Sequence, residues 1–172
     1  MMQNIRSEAE TAVYEFLEKE NIEYERLDHE AADTMEVCAQ IEKRLGAPIC
    51  KNLFLCNRQQ TDFYLLMIPA DKVFKTKYLS SQLGCARLSF ATPGHMEEYL
   101  HIHPGAVSPM GLMNDTAGRV RLIIDRDLMS LDHFGCHPCV NTSTVKMRLS
   151  DLLGKFLPAT GHDYTVVELA SE

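Results

Sequence analysis

The sequence predicts an α/β fold with a mixed sheet, on three observations. Helical periodicity is confined to a few short segments, β-prone runs alternate with them, and one pair of those runs is separated only by a polar turn. Alternation of strand and helix favours parallel pairing, whereas a short polar turn forces an antiparallel hairpin, so both kinds must share a sheet. At 172 residues, 45% hydrophobic and 24% charged, the chain has the size of one domain, 1–172, and an ordinary globular composition.

The elements follow in chain order. Residues 8–20 set Ala9, Ala12, Val13, Phe16 and Leu17 at three- and four-residue spacings between acids, an amphipathic helix that Ser7 can cap. A short strand over 23–27 comes next. A second helix begins after Asp33 or Thr34, turns Val37, Cys38, Ile41 and Leu45 inward and stops at Gly46. Residues 1–46 thus form a helical region packed outside the sheet. Strands follow over 49–56 and 62–68, joined through Asn57-Arg58-Gln59-Gln60-Thr61 as a hairpin. Short helices over 75–83 and 93–100 flank a strand near 87–90. Beyond a loop rich in glycine and proline come strands over 120–125 and 144–148, a helix over 151–156 and a closing strand over 164–169.

Charge and cysteine usage narrow the function. With 17 Lys and Arg against 24 Asp and Glu, the net charge of −7 argues against a protein that coats nucleic acid through its overall field, DNA included, while leaving room for a local basic strip. The amino terminus carries charges where a signal peptide needs an apolar core, and the longest apolar stretch, 63–70, falls far short of the ~20 residues that span a bilayer. The expectation is a cytoplasmic protein without a membrane partner, whose six cysteines are reduced thiols. No P-loop, G-x-S-x-G elbow or dinucleotide fingerprint occurs, which removes support for an NTPase, a serine hydrolase and a Rossmann enzyme.

Three segments carry chemistry. In Ile49-Cys50-Lys51-Asn52-Leu53-Phe54-Leu55-Cys56, both faces of the strand are apolar except at Lys51 and Asn52. Either the pair lies at the solvent end of the strand with Lys51 snorkelling, or the ammonium reaches a cleft and a partner there. In His103-Pro104-Gly105-Ala106-Val107-Ser108-Pro109-Met110-Gly111, two prolines and two further glycines cannot continue a helix or a central strand. Its amides are free to face an oxyanion or carboxylate, or the segment is simply a well-formed turn. In Gly135-Cys136-His137-Pro138-Cys139, the C-x-x-C spacing reads as a thiol redox pair, as half a zinc site, or as two buried reduced thiols. No long helix follows it and no second C-x-x-C exists to complete a zinc site. Finally, Lys72, Lys75, Lys77 and Arg87, interleaved with Phe74 and Tyr78, form either a phosphate-contacting edge or a solvated helix face.

Taken together, Lys51-Asn52-Leu53-Phe54-Leu55, Pro104 to Leu112 with Asn114-Asp115, and His137-Pro138 followed by Asn141-Thr142-Ser143-Thr144 resemble the YbaK/ProX aminoacyl-tRNA editing domains. Within that family the likeness is to the freestanding prolyl-tRNA deacylase-like proteins. The resemblance implies a hydrolase that removes a wrongly attached amino acid, alanine above all, from tRNA for proline, without metal, cofactor or covalent intermediate. Cysteine and serine are the alternative amino acids; a non-catalytic aminoacyl-tRNA binding module and a C-x-x-C redox or zinc protein are the alternative classes. It implies a barrel-like mixed sheet surrounded by helices, acting in trans with prolyl-tRNA synthetase as a candidate partner. By position, Lys51 matches the family's essential lysine, Gly105 to Pro109 its G-x-x-x-P loop and His137 its pocket histidine. The implied catalytic set is Lys51, Gly105, Ser108 and His137. Asn52, Phe54, Ala106, Val107, Pro109 and Met110 are then substrate-binding, and Lys72, Lys75 and Lys77 contact tRNA. Departures from the family pattern are Cys136 and Cys139 around His137, and Ser143 where members often carry alanine.

Overall fold

The computed structural model describes residues 7–31 and 34–169. The first helix, α1 (Glu8–Lys19), starts where Ser7 accepts a hydrogen bond from the Glu10 amide at 3.1 Å, and it buries Val13, Tyr14 and Leu17. After β1 (Tyr24–Asp28), α2 (Met35–Leu45) is capped by the Thr34 hydroxyl, which accepts from Val37 N at 3.2 Å. It ends at Gly46, whose φ of 74° is the left-handed conformation that suits glycine. Asp33, the other cap considered, lies outside the described residues. Ile41 and Leu45 are buried as the helical spacing requires, while Val37 and Cys38 are half-buried.

The hairpin forms from β2 (Cys50–Cys56) and β3 (Phe63–Pro69). Asn57 ties its turn, the side-chain oxygen accepting from the amides of Thr61 and Asp62 at 2.9 and 3.1 Å. Then follow α3 (Thr76–Leu83), the two-residue β4 (Ser89–Phe90), α4 (Pro93–Leu100), a 3-10 helix (Pro109–Asn114) and β5 (Val120–Asp125). A 3-10 turn (Arg126–Leu128), β6 (His133–Cys136) and β7 (Ser143–Arg148) lead into the last helical run. That run is α5 (Leu149–Asp151), a π turn (Leu152–Phe156) and α6 (Leu157–Thr160), before β8 (Tyr164–Val167) closes the order.

The pairing is mixed, as expected. One sheet has the order β4-β2-β3-β5-β8, antiparallel up to β3 and parallel from β3 to β8; the other, β1-β7-β6, is antiparallel. The barrel-like expectation is corrected: among the described residues no closed barrel forms. The two sheets meet at one parallel bridge, Ile49 to Gly135, with Gly135 N donating to Pro48 O at 2.8 Å. Pro48 lacks the N–H group that would carry the ladder back toward residue 133. Gly135 is needed at the joint, because a Cβ there would stand 3.0 Å from Leu45 Cδ2 and 3.2 Å from Thr144 Cγ2.

The larger sheet is covered on both faces. Phe54, Phe63, Leu65 and Leu122 join Leu17, Phe134 and Phe156 in the core between the sheets, while Leu55, Leu66, Ile68 and Ile123 pack with Leu79 on the opposite face. This doubly buried setting is what the apolar pattern around Lys51 and Asn52 required. No helix among the described residues is long and apolar enough to cross a membrane.

Candidate active site

Strand β2 is only partly paired on one side. Its ladder with β4 covers Leu55 and Cys56, and Ala91 N adds a bond to Phe54 O at 2.9 Å. Beyond that point the edge of β2 opens onto a cleft of about 720 Å³, whose walls also come from α2, α4, the 103–111 segment and the start of the 137–144 loop. The cleft brings together Lys51, Asn52, Phe54, Gly105, Val107 and His137 from the three sequence segments.

Lys51 and Asn52 point to opposite faces of β2 and reach the cleft round its edge. The Lys51 ammonium donates to the Lys72 carbonyl at 3.0 Å, so it is held by the chain after β3 rather than by a carboxylate. Asn52 donates to Cys50 O at 3.4 Å, and its side-chain oxygen is buried with no hydrogen-bond partner among the described residues. A buried acceptor left in that state is costly unless a ligand supplies a donor.

The 103–111 segment divides in function. Gly105, at φ 92°, and Val107 face the cleft, while Ala106, Ser108, Pro109 and Met110 are buried and do not line it. The Ala106 amide donates to His103 O at 3.2 Å. Ser108, 0% exposed, accepts from Met110 N at 3.1 Å as the cap of the 3-10 helix, with Pro109 at that helix's first position, and also hydrogen-bonds the Cys136 thiol. Its hydroxyl is therefore committed to structure and stands away from the cleft wall. Gly111 packs so closely that a Cβ would meet Ile102 Cδ1 at 2.6 Å.

His137 is oriented by backbone. Its Nδ1 lies 3.0 Å from Ser143 O, and since a carbonyl only accepts, the proton sits on Nδ1 and Nε2 is the ring's acceptor. Burial, opposed by that hydrogen bond and reinforced by the neighbouring His29, pushes its pKa below the usual value, so the ring is neutral near pH 7. His29 stands 6.2 Å away, accepting from the Thr144 hydroxyl at 2.8 Å; Ser143 Oγ in turn donates to Asp28 at 2.6 Å. Cys136 and Cys139 are buried, and burial pushes each thiol up to about 12, which makes them poor nucleophiles at neutral pH.

The basic strip is split. Lys75 and Lys77 are exposed beside Tyr78, their ammoniums 5.9 and 5.5 Å from its ring centroid. Lys72 does not share that surface: it is 8% exposed and lies 2.7 Å from both Asp125 and Asp127. Burial pulls its pKa down, but the two carboxylates outweigh burial and raise it, so it stays charged and paired instead of facing phosphate. Sequence reasoning missed the cleft residues Phe90, Met96 and Glu42; the last accepts from Ile49 N at 3.1 Å. All three are supplied by neighbouring elements, and only pairing and packing reveal that.

The chain resembles known proteins over most of its length. The family model described as "Aminoacyl-tRNA editing domain" matches residues 29–154. The chain is 32% identical over 162 residues to the prolyl-tRNA editing protein ProX of Acetoanaerobium sticklandii, covering 94% of this chain and 98% of the relative. It is 33% identical over 150 residues to the prolyl-tRNA synthetase associated domain-containing protein 1 of Danio rerio, covering 86% and 80%. Among solved structures, a protein assigned as a trans-editing enzyme for prolyl tRNA synthetase superposes with a TM-score of 0.73 at 18% identity, covering 98% of this chain and 100% of the other. Three separated motifs converging on one cleft, within a fold and sequence shared with these proteins, place the chain in the aminoacyl-tRNA editing domain family.

Proposed function

We propose that the protein is a trans-editing deacylase that hydrolyses the ester of mischarged tRNA for proline, alanyl above all, in the cleft beside β2. The observation that carries this reading is the meeting of Lys51, Asn52, Gly105 and His137 at one opening in a chain of the editing family. The likeness to the prolyl-tRNA editing protein ProX and to the trans-editing enzyme for prolyl tRNA synthetase supports proline as the tRNA identity.

An aminoacyl ester is already activated, so the protein has to place a water on the carbonyl carbon and stabilise the oxyanion that forms. Water adds to the carbonyl, the bond to the ribose oxygen breaks, and the products are free amino acid and tRNA with its hydroxyl restored. Because the Ala106 amide is spent on His103, the loop donors assigned to the oxyanion are the N–H groups of Gly105 and Val107. The unpartnered Asn52 oxygen accepts from the substrate's α-ammonium, Lys51 holds the ribose or phosphate end, and neutral His137 accepts a hydrogen bond from the attacking water. Phe54, Val107 and Met96 bound the acyl site, with Ala106, Pro109 and Met110 packed behind it. Exclusion by size rejects proline, since a small pocket refuses a larger side chain more strongly than a large one refuses a smaller. Prolyl-tRNA synthetase is the proposed source of the substrate.

The pure protein is challenged with tRNA for proline charged with alanine, cysteine, serine or proline. Free alanine is released fastest and proline is spared; release of no amino acid from any of them ends the reading. Lys51→Ala abolishes the activity, and full retention removes Lys51 from the mechanism.

A further inference from the structure

The cleft has two unlike sides. Asn52 and Phe54 share theirs with Gly105, Val107 and His137, whose neighbours belong to the core between the sheets. Lys51 and Leu53 lie on the other face of β2, and there the cleft is bounded by Phe90. Register puts it there: Phe90 pairs with Leu55 across the short β2–β4 ladder, and directly opposed residues point to the same face.

Phe90 is an unusual residue to find in that place. Its side chain belongs to a large hydrophobic residue left 58% exposed; the other two exposed large hydrophobics among the described residues, Val73 and Val166, do not line the cleft. Phe74 meets the ring at 6.3 Å and 76° and itself packs on the core layer of Leu55 and Leu79. The ring is therefore met at an angle by Phe74 while more than half of the residue stays uncovered. The cleft's 720 Å³ matches sites that enclose drug-sized ligands, far more than an alanyl group fills. Whatever carries the acyl group must occupy the remainder, and next to the ester that is a ribose with its base.

We infer that Phe90 is the stacking platform for the terminal adenine of the aminoacyl-tRNA. This rests on the deacylase reading above and deepens it. The acyl group lies on the His137 side of β2, the ribose crosses the open edge beside Lys51, and the base lies flat on Phe90. A π face suits any base, so the platform contributes affinity and orientation while the acyl pocket retains selectivity.

Steady-state deacylation of alanyl-tRNA for proline is measured for Phe90→Ala, Phe90→Leu and Phe90→Tyr. Loss of stacking raises KM in the Ala and Leu variants by roughly 5- to 150-fold with kcat retained, and Tyr restores the wild-type KM. Retained kcat at saturation also reports that the variants are folded. A Leu variant with wild-type KM, or a loss of kcat shared by Leu and Tyr, overturns the platform. An inactive wild type overturns the deacylase reading itself, whereas an active wild type with an unchanged Leu variant removes the platform alone.

Discussion

The proton on His137 Nδ1 sets a pH dependence. In the unfolded chain this histidine takes up a proton near pH 6.5, whereas the folded ring resists until lower pH because burial disfavours its charge. The unfolded state therefore binds more protons just below pH 6.5, and stability falls as pH drops through that value. Urea unfolding between pH 7.5 and 5 shows this slope, and His137→Gln flattens it. Lys72 offers a second residue-scale test. Replacing it with Met strands Asp125, 1% exposed, without its ammonium, and costs about 3 kcal/mol in thermal or chemical unfolding. The Lys72 carbonyl that holds Lys51 belongs to the main chain and stays in the variant, so turnover per folded molecule is kept while stability falls. A variant as stable as the wild type would show that the pair is not needed for folding.

At the scale of elements, the loop and the 3-10 helix behind it separate residues that resemble one another in sequence. Ser108 caps and Gly105 faces the cleft, so Ser108→Ala lowers stability by about 1 kcal/mol with turnover per folded molecule preserved. A thousandfold loss of kcat in a folded Ser108→Ala protein would return the hydroxyl to the chemistry. Gly105→Ala does the reverse, since φ 92° strains any side-chain-bearing residue and moves the amide assigned to the oxyanion; activity falls more than stability does. The sequence made the hairpin, α1, α2, α4 and β5 legible because caps, periodicity and turn residues agreed there. Strand β6 was not legible: its four residues, His133-Phe134-Gly135-Cys136, show no alternation of their own and contain a glycine whose role is close packing against Leu45 and Thr144. The helix expected over 151–156 extends on both sides of a π turn, an adjustment of hydrogen-bond register that side-chain spacing does not encode.

For the whole molecule, a net charge of −7 leaves few cations to meet tRNA. With Lys51, Lys75 and Lys77 as the contacts, the logarithm of affinity falls against the logarithm of salt with a slope of about −2; a slope near zero would remove the cationic contacts. The site was legible as three segments and their resemblance to one family, but not as a shape. Alternation placed Lys51 and Asn52 on opposite faces without saying that both reach one opening, and a run of four basic residues gave no sign that Lys72 would turn inward.

That opening exists because a ladder stops early. Extending the Leu55–Phe90 and Cys56–Ser89 register would set Pro93 opposite Asn52, but Pro93 has no N–H to give and begins α4, with Thr92 as its cap. The dipeptide Thr92-Pro93 thus acts as a terminator for sheet growth. It leaves unzipped the stretch of β2 that lines the cleft, so the entrance is governed by two residues outside its walls.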